Sequence, residues 1–326
     1  MSSDAPIVED CARPRQGRRF ALPAILFAAT CLSTFLVGAA YWWNPAGHMM
    51  VFYRNAADNW PQHSPLAAVN EAWAVALQGV NWRQGFIYMG VVMGLLLAHE
   101  MGHFLMALRH RVPASLPYFI PMPFIPFGTL GAVISMDGSR VNRREMFDLG
   151  IAGPLAGFAV TLPVVWLGIL RLPHSPVAGQ SFCFHSPWIL QHLIAWIRPD
   201  YPTPDVLYLN QFNPLLMAGW VGLLVTGLNM LPVSMLDGGH VAYALLGGRA
   251  HWLARGLIVA AILYVVVAAA YFWVVFLVLV IVLGADHPPT ADDGCRLGWL
   301  RRLLGWASLL IPLFCISLAG ITPMGQ

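Results

Sequence analysis

A stretch of membrane length that carries a metal-binding signature constrains this chain more than any other feature. From Phe86 to Leu108 the sequence is apolar, and its one formal charge is Glu100. About 20 such residues cross the hydrocarbon of a bilayer as a helix. Inside the stretch stands His99-Glu100-Met101-Gly102-His103, an H-E-x-x-H pattern. On a helix, residues i and i+4 lie one turn apart on the same face. Two neutral imidazoles can therefore share one tetrahedral zinc ion, and the carboxylate between them can act as general base on a nearby water. A carboxylate in hydrocarbon costs roughly 3 kcal/mol on insertion scales, so Glu100 is expected to have a partner or a function. The competing reading is a buried histidine pair on a core helix, with Glu100 satisfied by a neighbour. A helix of membrane length weighs against it.

Composition extends this setting to the whole chain. Of the 326 residues, 58% are hydrophobic and only 10% charged, and the mean hydropathy is +0.65. Soluble domains carry about 25% charged residues, so the sequence predicts an all-α polytopic membrane protein in a lipid bilayer. The net charge of +3 comes from arginine alone, since lysine is absent. So small an excess gives no reason to expect a nucleic-acid partner. The five cysteines (Cys11, Cys31, Cys183, Cys295, Cys315) are scattered without a C-x-x-C pair. They suggest neither a disulfide framework nor a cysteine metal site.

Uncharged runs divide the chain. Phe20–Ala40 follows Arg18-Arg19; its length fits an uncleaved first helix better than a twin-arginine export signal. Further runs cover Leu149–Leu170, Phe212–Leu236, Gly256–Gly284 and Leu303–Pro323. About six to seven transmembrane helices are expected, with 256–284 read as two short or tilted helices turning near Ala270-Tyr271. Residues 1–19 form an N-terminal segment, and 20–85 hold the first helix and an external loop with one interfacial helix. Residues 86–255 form the membrane core, and 256–326 the C-terminal helices. The segment Ser186–Trp196 is expected to lie amphipathically at the interface. Four arginines precede the first run and five lie in 109–148, against two each in 43–85 and 171–211. The positive-inside rule then puts the N-terminus and the 109–148 connection in the cytoplasm. The H-E-x-x-H motif lies toward that side.

Zinc hydrolases usually supply three protein ligands and leave the fourth position open. The candidate for the third is Asp237, in Asn229-Met-Leu-Pro-Val-Ser-Met-Leu-Asp-Gly-Gly-His240. Pro232 breaks the helix there, and irregular backbone at membrane depth is tolerated where it lines a cavity or water. The two glycines after Asp237 allow a sharp turn and close backbone approach. The alternative is a plain helix-end turn at the interface. Asn229 carries an amide that could donate to a developing oxyanion or hold an extended substrate; it could equally make a helix-packing hydrogen bond. His240 is either a solvated histidine or an alternative or supporting ligand.

Between Pro113 and Ser135, five prolines forbid a continuous helix, yet Tyr118–Phe127 is apolar. This suits a short re-entrant loop sheltered by protein. The stretch Gly128-Thr129-Leu130-Gly131 and onward to Ser135 reads as a short strand whose edge could take an extended peptide by strand addition. An ordinary proline-rich cytoplasmic loop is the alternative.

Taken together, His99-Glu-Met-Gly-His103 in a membrane helix and Asn229-x-x-Pro232-x-x-x-Leu236-Asp-Gly238 resemble the site-2 protease family of intramembrane zinc metalloproteases. Gly128-Thr-Leu-Gly-Ala-Val-Ile134 and Gly153-Pro-Leu-Ala-Gly157 also resemble features of that family, while Ser115-Leu-Pro-Tyr-Phe119 and His287-Pro-Pro289 are similar to its plastid and bacterial branch without a PDZ insertion. The resemblance covers roughly residues 86–290. It implies a three-helix catalytic core (86–108, 149–170, 212–236) and one Zn2+ per chain on His99, His103 and Asp237. It further implies Glu100 as general base and Asn229 as a substrate- or oxyanion-binding residue, beside which Gly128, Thr129 and Gly131 of the strand read above are expected to bind substrate. The implied function is hydrolysis of peptide bonds within or near transmembrane segments of membrane-protein substrates. Rival readings are another type of membrane zincin with a glutamate as third ligand, Glu145 being the one glutamate downstream of the motif, and a catalytically silent zinc-binding scaffold or transporter. A transporter is expected to carry broken helices in both halves, and the sequence shows one such break. The lack of an Arg/Ser-rich amphipathic N-terminus points to a bacterial inner membrane. The sequence assigns neither a substrate nor an oligomeric state.

Overall fold

The computed structural model of the chain describes residues 20–40, 81–125, 127–136, 141–173, 182–208, 211–233, 235–268, 270, 273–284 and 290–323. Residues 1–19, the expected interfacial helix within 43–80, Tyr271 of the expected turn and His287-Pro-Pro289 lie outside them. Among the described residues, four helices are long and apolar enough to cross a membrane by length and composition. These are α1 (Ala21–Ala39), α2 (Trp82–Arg109), α3 (Arg143–Ile169) and the helical run Asp237–Val267. The chain is a mostly helical membrane protein.

The helix ends follow from local chemistry. The Asn81 side chain accepts a hydrogen bond from the Gln84 N–H and caps α2. Asn142 and Glu145 form a reciprocal capping box on α3. Three shorter elements follow: β3 (Phe182–His185), α4 (Trp188–Ile197) and β4 (Val206–Tyr208). In α4, Leu190 and Ile194 are buried and Trp188 and Trp196 exposed. The next helix, α5 (Pro214–Asn229), opens with proline in its first turn and the Asn213 side chain on Leu216 N–H. It ends three residues before Pro232, so the expected run Phe212–Leu236 is a shorter helix followed by a tight loop. The run Asp237–Val267 is then α6 (Asp237–Leu246), one 3-10 turn and α7 (Ala250–Val267). Next comes α8 (Val274–Leu283), so the uncharged run 256–284 is interrupted between Val267 and Val274.

At the centre, α2, α3 and α5 pack on one another through Val92, Leu96, Val165, Leu216, Trp220 and Leu224, all buried. The helix α1 lies along α2, where Gly38 gives room to the Tyr88 ring.

Two findings correct the sequence reading. The first concerns Tyr118–Phe127, whose first half is a strand. The strands β1 (Tyr118–Met122) and β2 (Gly128–Val133) form an antiparallel hairpin. Its register shifts between Phe119 and Pro121, and a bulge is where a sheet tolerates proline. The hairpin reaches back along the helices: Tyr88 donates to the Phe127 carbonyl at 3.1 Å, and Ser33 to the Gly128 carbonyl at 2.6 Å. The second concerns Leu303–Pro323, which is not one helix. It is α9 (Trp299–Ser308, taking in its start), α10 (Ile311–Cys315) and β5 (Ile321–Pro323). Pro312 has no N–H to bond the Ser308 carbonyl, so the helix cannot run on unbroken. Even so, this segment travels the length of α3. Arg301 of α9 pairs with Asp148 near the start of α3, while β5 pairs with β3 beyond its end.

Candidate metal centre

The three elements that meet at the site each bring one requirement. From α2 come His99 and His103, one turn apart, both buried. From the first turn of α6 comes Asp237. Against them lies the N-terminal half of α3, whose glycines make room. Gly157 lies under His99, with an added Cβ only 3.1 Å from that residue's own Cβ, and a Cβ at Gly153 would overlap His103 Nε2. On the α2 side, a Cβ at Gly102 would stand 2.5 Å from the Ala152 carbonyl oxygen, and a Cβ at Gly150 would meet Asp237 and His240. These glycines let the ligand-bearing helices approach at backbone distance. Gly238 does the same for the loop before α6, where a Cβ would overlap the Met230 carbonyl.

The geometry is convergent. His99 Nε2 lies 3.1 Å from Asp237 Oδ2, His103 Nε2 lies 3.3 Å from Oδ1, and the two Nε2 atoms are 3.2 Å apart. Donor atoms about 2.0–2.1 Å from a tetrahedral centre stand about 3.3 Å from one another. The set therefore fits a zinc-sized cation, and His99, His103 and Asp237 form a possible metal site. The His103 tautomer agrees. His103 Nδ1 lies 2.9 Å from the Leu149 carbonyl oxygen, an acceptor, so its proton sits on Nδ1 and its Nε2 lone pair faces the site. Two such lone pairs facing a carboxylate repel unless a cation or a proton lies between them.

Glu100 is buried beside the pair, at 3% exposure. Asn229, the last residue of α5, brings Nδ2 to 3.1 Å from His99 Nε2, so its amide stands beside the ligand cluster. Gly128, Thr129 and Gly131 are placed differently. Gly128 packs on Ser33 and Thr34 of α1, and the Thr129 hydroxyl donates to the Ile120 carbonyl within the hairpin. Gly131, at φ 104°, has open space where a Cβ would be. The two-stranded order leaves β2 with one edge unpaired among the described residues. His240 lies on α6 against Gly150 and is not in the ligand cluster. Glu145 is committed to the α3 capping box, and Asp148 to Arg301 and His110. Neither acid reaches the histidines, which removes the structural basis for a glutamate as third ligand. The sequence marks Gly153 and Gly157 only as ends of the Gly153-Pro-Leu-Ala-Gly157 motif, and that they and Gly150 seat the ligands was missed.

The sequence model of Peptidase family M50 matches residues 87–274, more than half of the chain. The chain belongs to that family, the site-2 protease family, as its motifs led one to expect. "Probable zinc metalloprotease EGY1, chloroplastic" of Arabidopsis thaliana is 31% identical over 229 residues, which cover 68% of this chain and 41% of that protein. The protein of the same name from Oryza sativa subsp. japonica is 32% identical over 234 residues, covering 70% and 39%. "Probable zinc metalloprotease EGY2, chloroplastic" of Oryza sativa subsp. indica is 31% identical over 181 residues, covering 53% and 32%. The chain thus spans about two fifths of the length of the first two relatives. No solved structure matches it.

Proposed function

We propose that the protein is a zinc metalloendopeptidase that hydrolyses peptide bonds within or near the transmembrane segments of other membrane proteins. One observation carries the proposal: the His99 and His103 donor atoms of α2 and the Asp237 donor atoms of α6 converge at 3.1–3.3 Å within a membrane-type core. Membership of peptidase family M50 and the zinc metalloprotease names of the relatives support it.

In this reading His99, His103 and Asp237 hold one Zn2+ per chain. The bound ion would supply Lewis-acid polarisation of the scissile carbonyl and make water a stronger nucleophile near neutral pH. Glu100 accepts the proton of the attacking water at a carboxylate oxygen and delivers it to the leaving nitrogen. The Asn229 Nδ2–H donates to the carbonyl oxygen as charge develops on it, or holds the substrate backbone. A helical substrate has its backbone groups satisfied and must unwind before cleavage. The free edge of β2, with Gly128, Thr129 and Gly131, offers it strand pairing instead. The β1–β2 hairpin acts as a re-entrant element, its turn packed beside Tyr88 in the second turn of α2. The arginine distribution supports a cytoplasmic N-terminus and active-site side. The relatives are chloroplastic by name, so the bacterial inner membrane expected from the sequence draws no support from them.

The test is cleavage of a single-span membrane protein co-reconstituted with the native chain or Glu100→Gln. Cleavage lost in Glu100→Gln, with zinc retained, is the expected result. Equal cleavage by both would overturn the proposal. A transporter would instead move zinc across the vesicle wall with no Glu100-dependent proteolysis.

A further inference from the structure

Where α2, α3 and α5 meet, the core contains a cavity that none of these roles uses. Its wall is aliphatic apart from three polar side chains, His99, Thr161 and Thr226. All three are buried, at 3%, 1% and 2% exposure. The space is that of a single water rather than of a substrate side chain.

His99 is the unusual member. Its Nε2 faces Asp237, and its Nδ1 is buried without a hydrogen-bond partner from the protein. His103 differs, with its Nδ1 satisfied by the Leu149 carbonyl. A metal-ligating histidine almost always donates its second N–H to a carboxylate, a carbonyl or a water, and that acceptor fixes the tautomer and ring orientation. For His99 the acceptor must come from the cavity side. The Thr161 hydroxyl gives its own proton to the Gly157 carbonyl at 2.8 Å, which leaves its oxygen lone pairs to accept. Gly157 keeps the space open, since a Cβ there would stand 3.2 Å from His99 Nδ1.

We infer that this cavity binds one water, which accepts the His99 Nδ1–H and donates its two protons to the Thr161 and Thr226 hydroxyl oxygens. Three protein groups are satisfied at once, and His99 is held in the tautomer whose Nε2 lone pair faces the metal. Thr161 and Thr226 are then positioning residues that act on the metal through His99. The inference rests on His99 being a metal ligand, as proposed above.

The test uses the detergent-purified full chain, with zinc affinity measured by chelator competition and ligand geometry by the visible absorption of the cobalt(II)-substituted protein. Valine keeps the shape of threonine and removes its hydroxyl. The Thr161→Val/Thr226→Val pair is expected to lose roughly 10- to 100-fold in zinc affinity, the usual cost of losing an outer-shell partner. Its cobalt spectrum should shift, and the Thr161→Ser/Thr226→Ser pair should restore both. Unchanged affinity and spectrum in the valine pair would overturn the inference. If the valine pair does not fold, Thr226→Val alone decides: a weaker site supports the water, and a native-like one overturns it. Failure of the native chain to bind zinc would instead sink the metal-site reading itself.

Discussion

The His103 ring occupies the space that a side chain on Gly153 would need: a Cβ at position 153 would overlap Nε2, the nitrogen that faces Asp237. The ligand set therefore depends on a residue of another helix that donates nothing to the metal.

Gly153→Ala should follow from this with opposite effects on helix and site. By intrinsic propensity, alanine favours a helix over glycine by roughly 0.5–1 kcal/mol. The added methyl must nonetheless displace the imidazole. The variant is expected to stay helical and to lose zinc by at least about tenfold in affinity, as a disturbed ligand shell does. Gly94→Ala is the comparison, because a Cβ there meets nothing within 4 Å. Zinc titration of both proteins checks it, and equal binding would show that α3 does not seat His103.

The third ligand separates the two zincin readings. Asp237→Ala should abolish stoichiometric zinc. Glu145→Ala should keep it, since that carboxylate accepts from the Asn142 N–H at 3.0 Å in the α3 cap. What Glu145→Ala loses is the return half of the capping box, one hydrogen bond worth on the order of 1 kcal/mol and read as a lower melting temperature, while the Asn142 cap itself remains. Metal analysis of the two purified variants, side by side, distinguishes them.

How far the sequence foretold this depends on what kind of order each feature needs. His99 and His103 were legible because helical spacing alone puts them on one face. Asp237 stood out because a carboxylate and two glycines close an apolar run. The seating of the ligands on Gly150, Gly153 and Gly157 was not legible, because it depends on the register of α3 against α2. The strand β1 was hidden by Pro117, Pro121 and Pro123, which argue against regular structure until a bulge is found at Pro121. The run Leu303–Pro323 misled for the converse reason: an uncharged stretch looks alike whether it crosses as one helix or as helix, helix and strand.

Glu100→Gln isolates the proton transfer. The amide keeps the shape of the carboxylate in its buried place but cannot accept the proton of the attacking water. The variant should bind zinc as the native chain does and cleave about 10²- to 10⁴-fold more slowly, the range that general-base catalysis contributes. Metal content and single-turnover cleavage, measured on one preparation, check the two halves of this statement.

Near the segment that leads into α9, Asp293 should impose an acid limit on stability. It accepts hydrogen bonds from the Thr290 hydroxyl at 2.5 Å and the Tyr243 hydroxyl at 2.8 Å. The bond from Thr290, then that from Tyr243, holds its carboxyl below the usual carboxylate range. A depressed folded-state value means that this stabilisation is present above the unfolded-state pKa of about 3.9 and is lost as pH falls through the folded value. The melting temperature of Asp293→Asn should therefore fall less steeply below about pH 4 than that of the native chain. The group is exposed, so the effect should be small and weakened by salt. Superimposable acid limbs would refute it.

Metal removal should loosen one end of the molecule and leave the rest standing. The α2–α3–α5 core is held by Val92, Val165, Leu216 and Trp220, whose burial does not involve the site. The site end is different, because His99, His103 and Asp237 tie α2 to α6 across a buried cluster of donors. Without a cation, two imidazole lone pairs and a carboxylate face one another at 3.1–3.3 Å. A ligand that binds only the folded state stabilises it by RT ln(1 + [L]/Kd), about 2.7 kcal/mol at a hundredfold excess over Kd. Chelation should therefore lower the apparent melting temperature of the native chain and speed amide exchange around Leu236–His240 while sparing Val92–Leu96. Asp237→Ala should melt identically with and without chelator. A native chain indifferent to chelation would mean that these side chains hold their arrangement by proton sharing alone, and that no ion belongs between them.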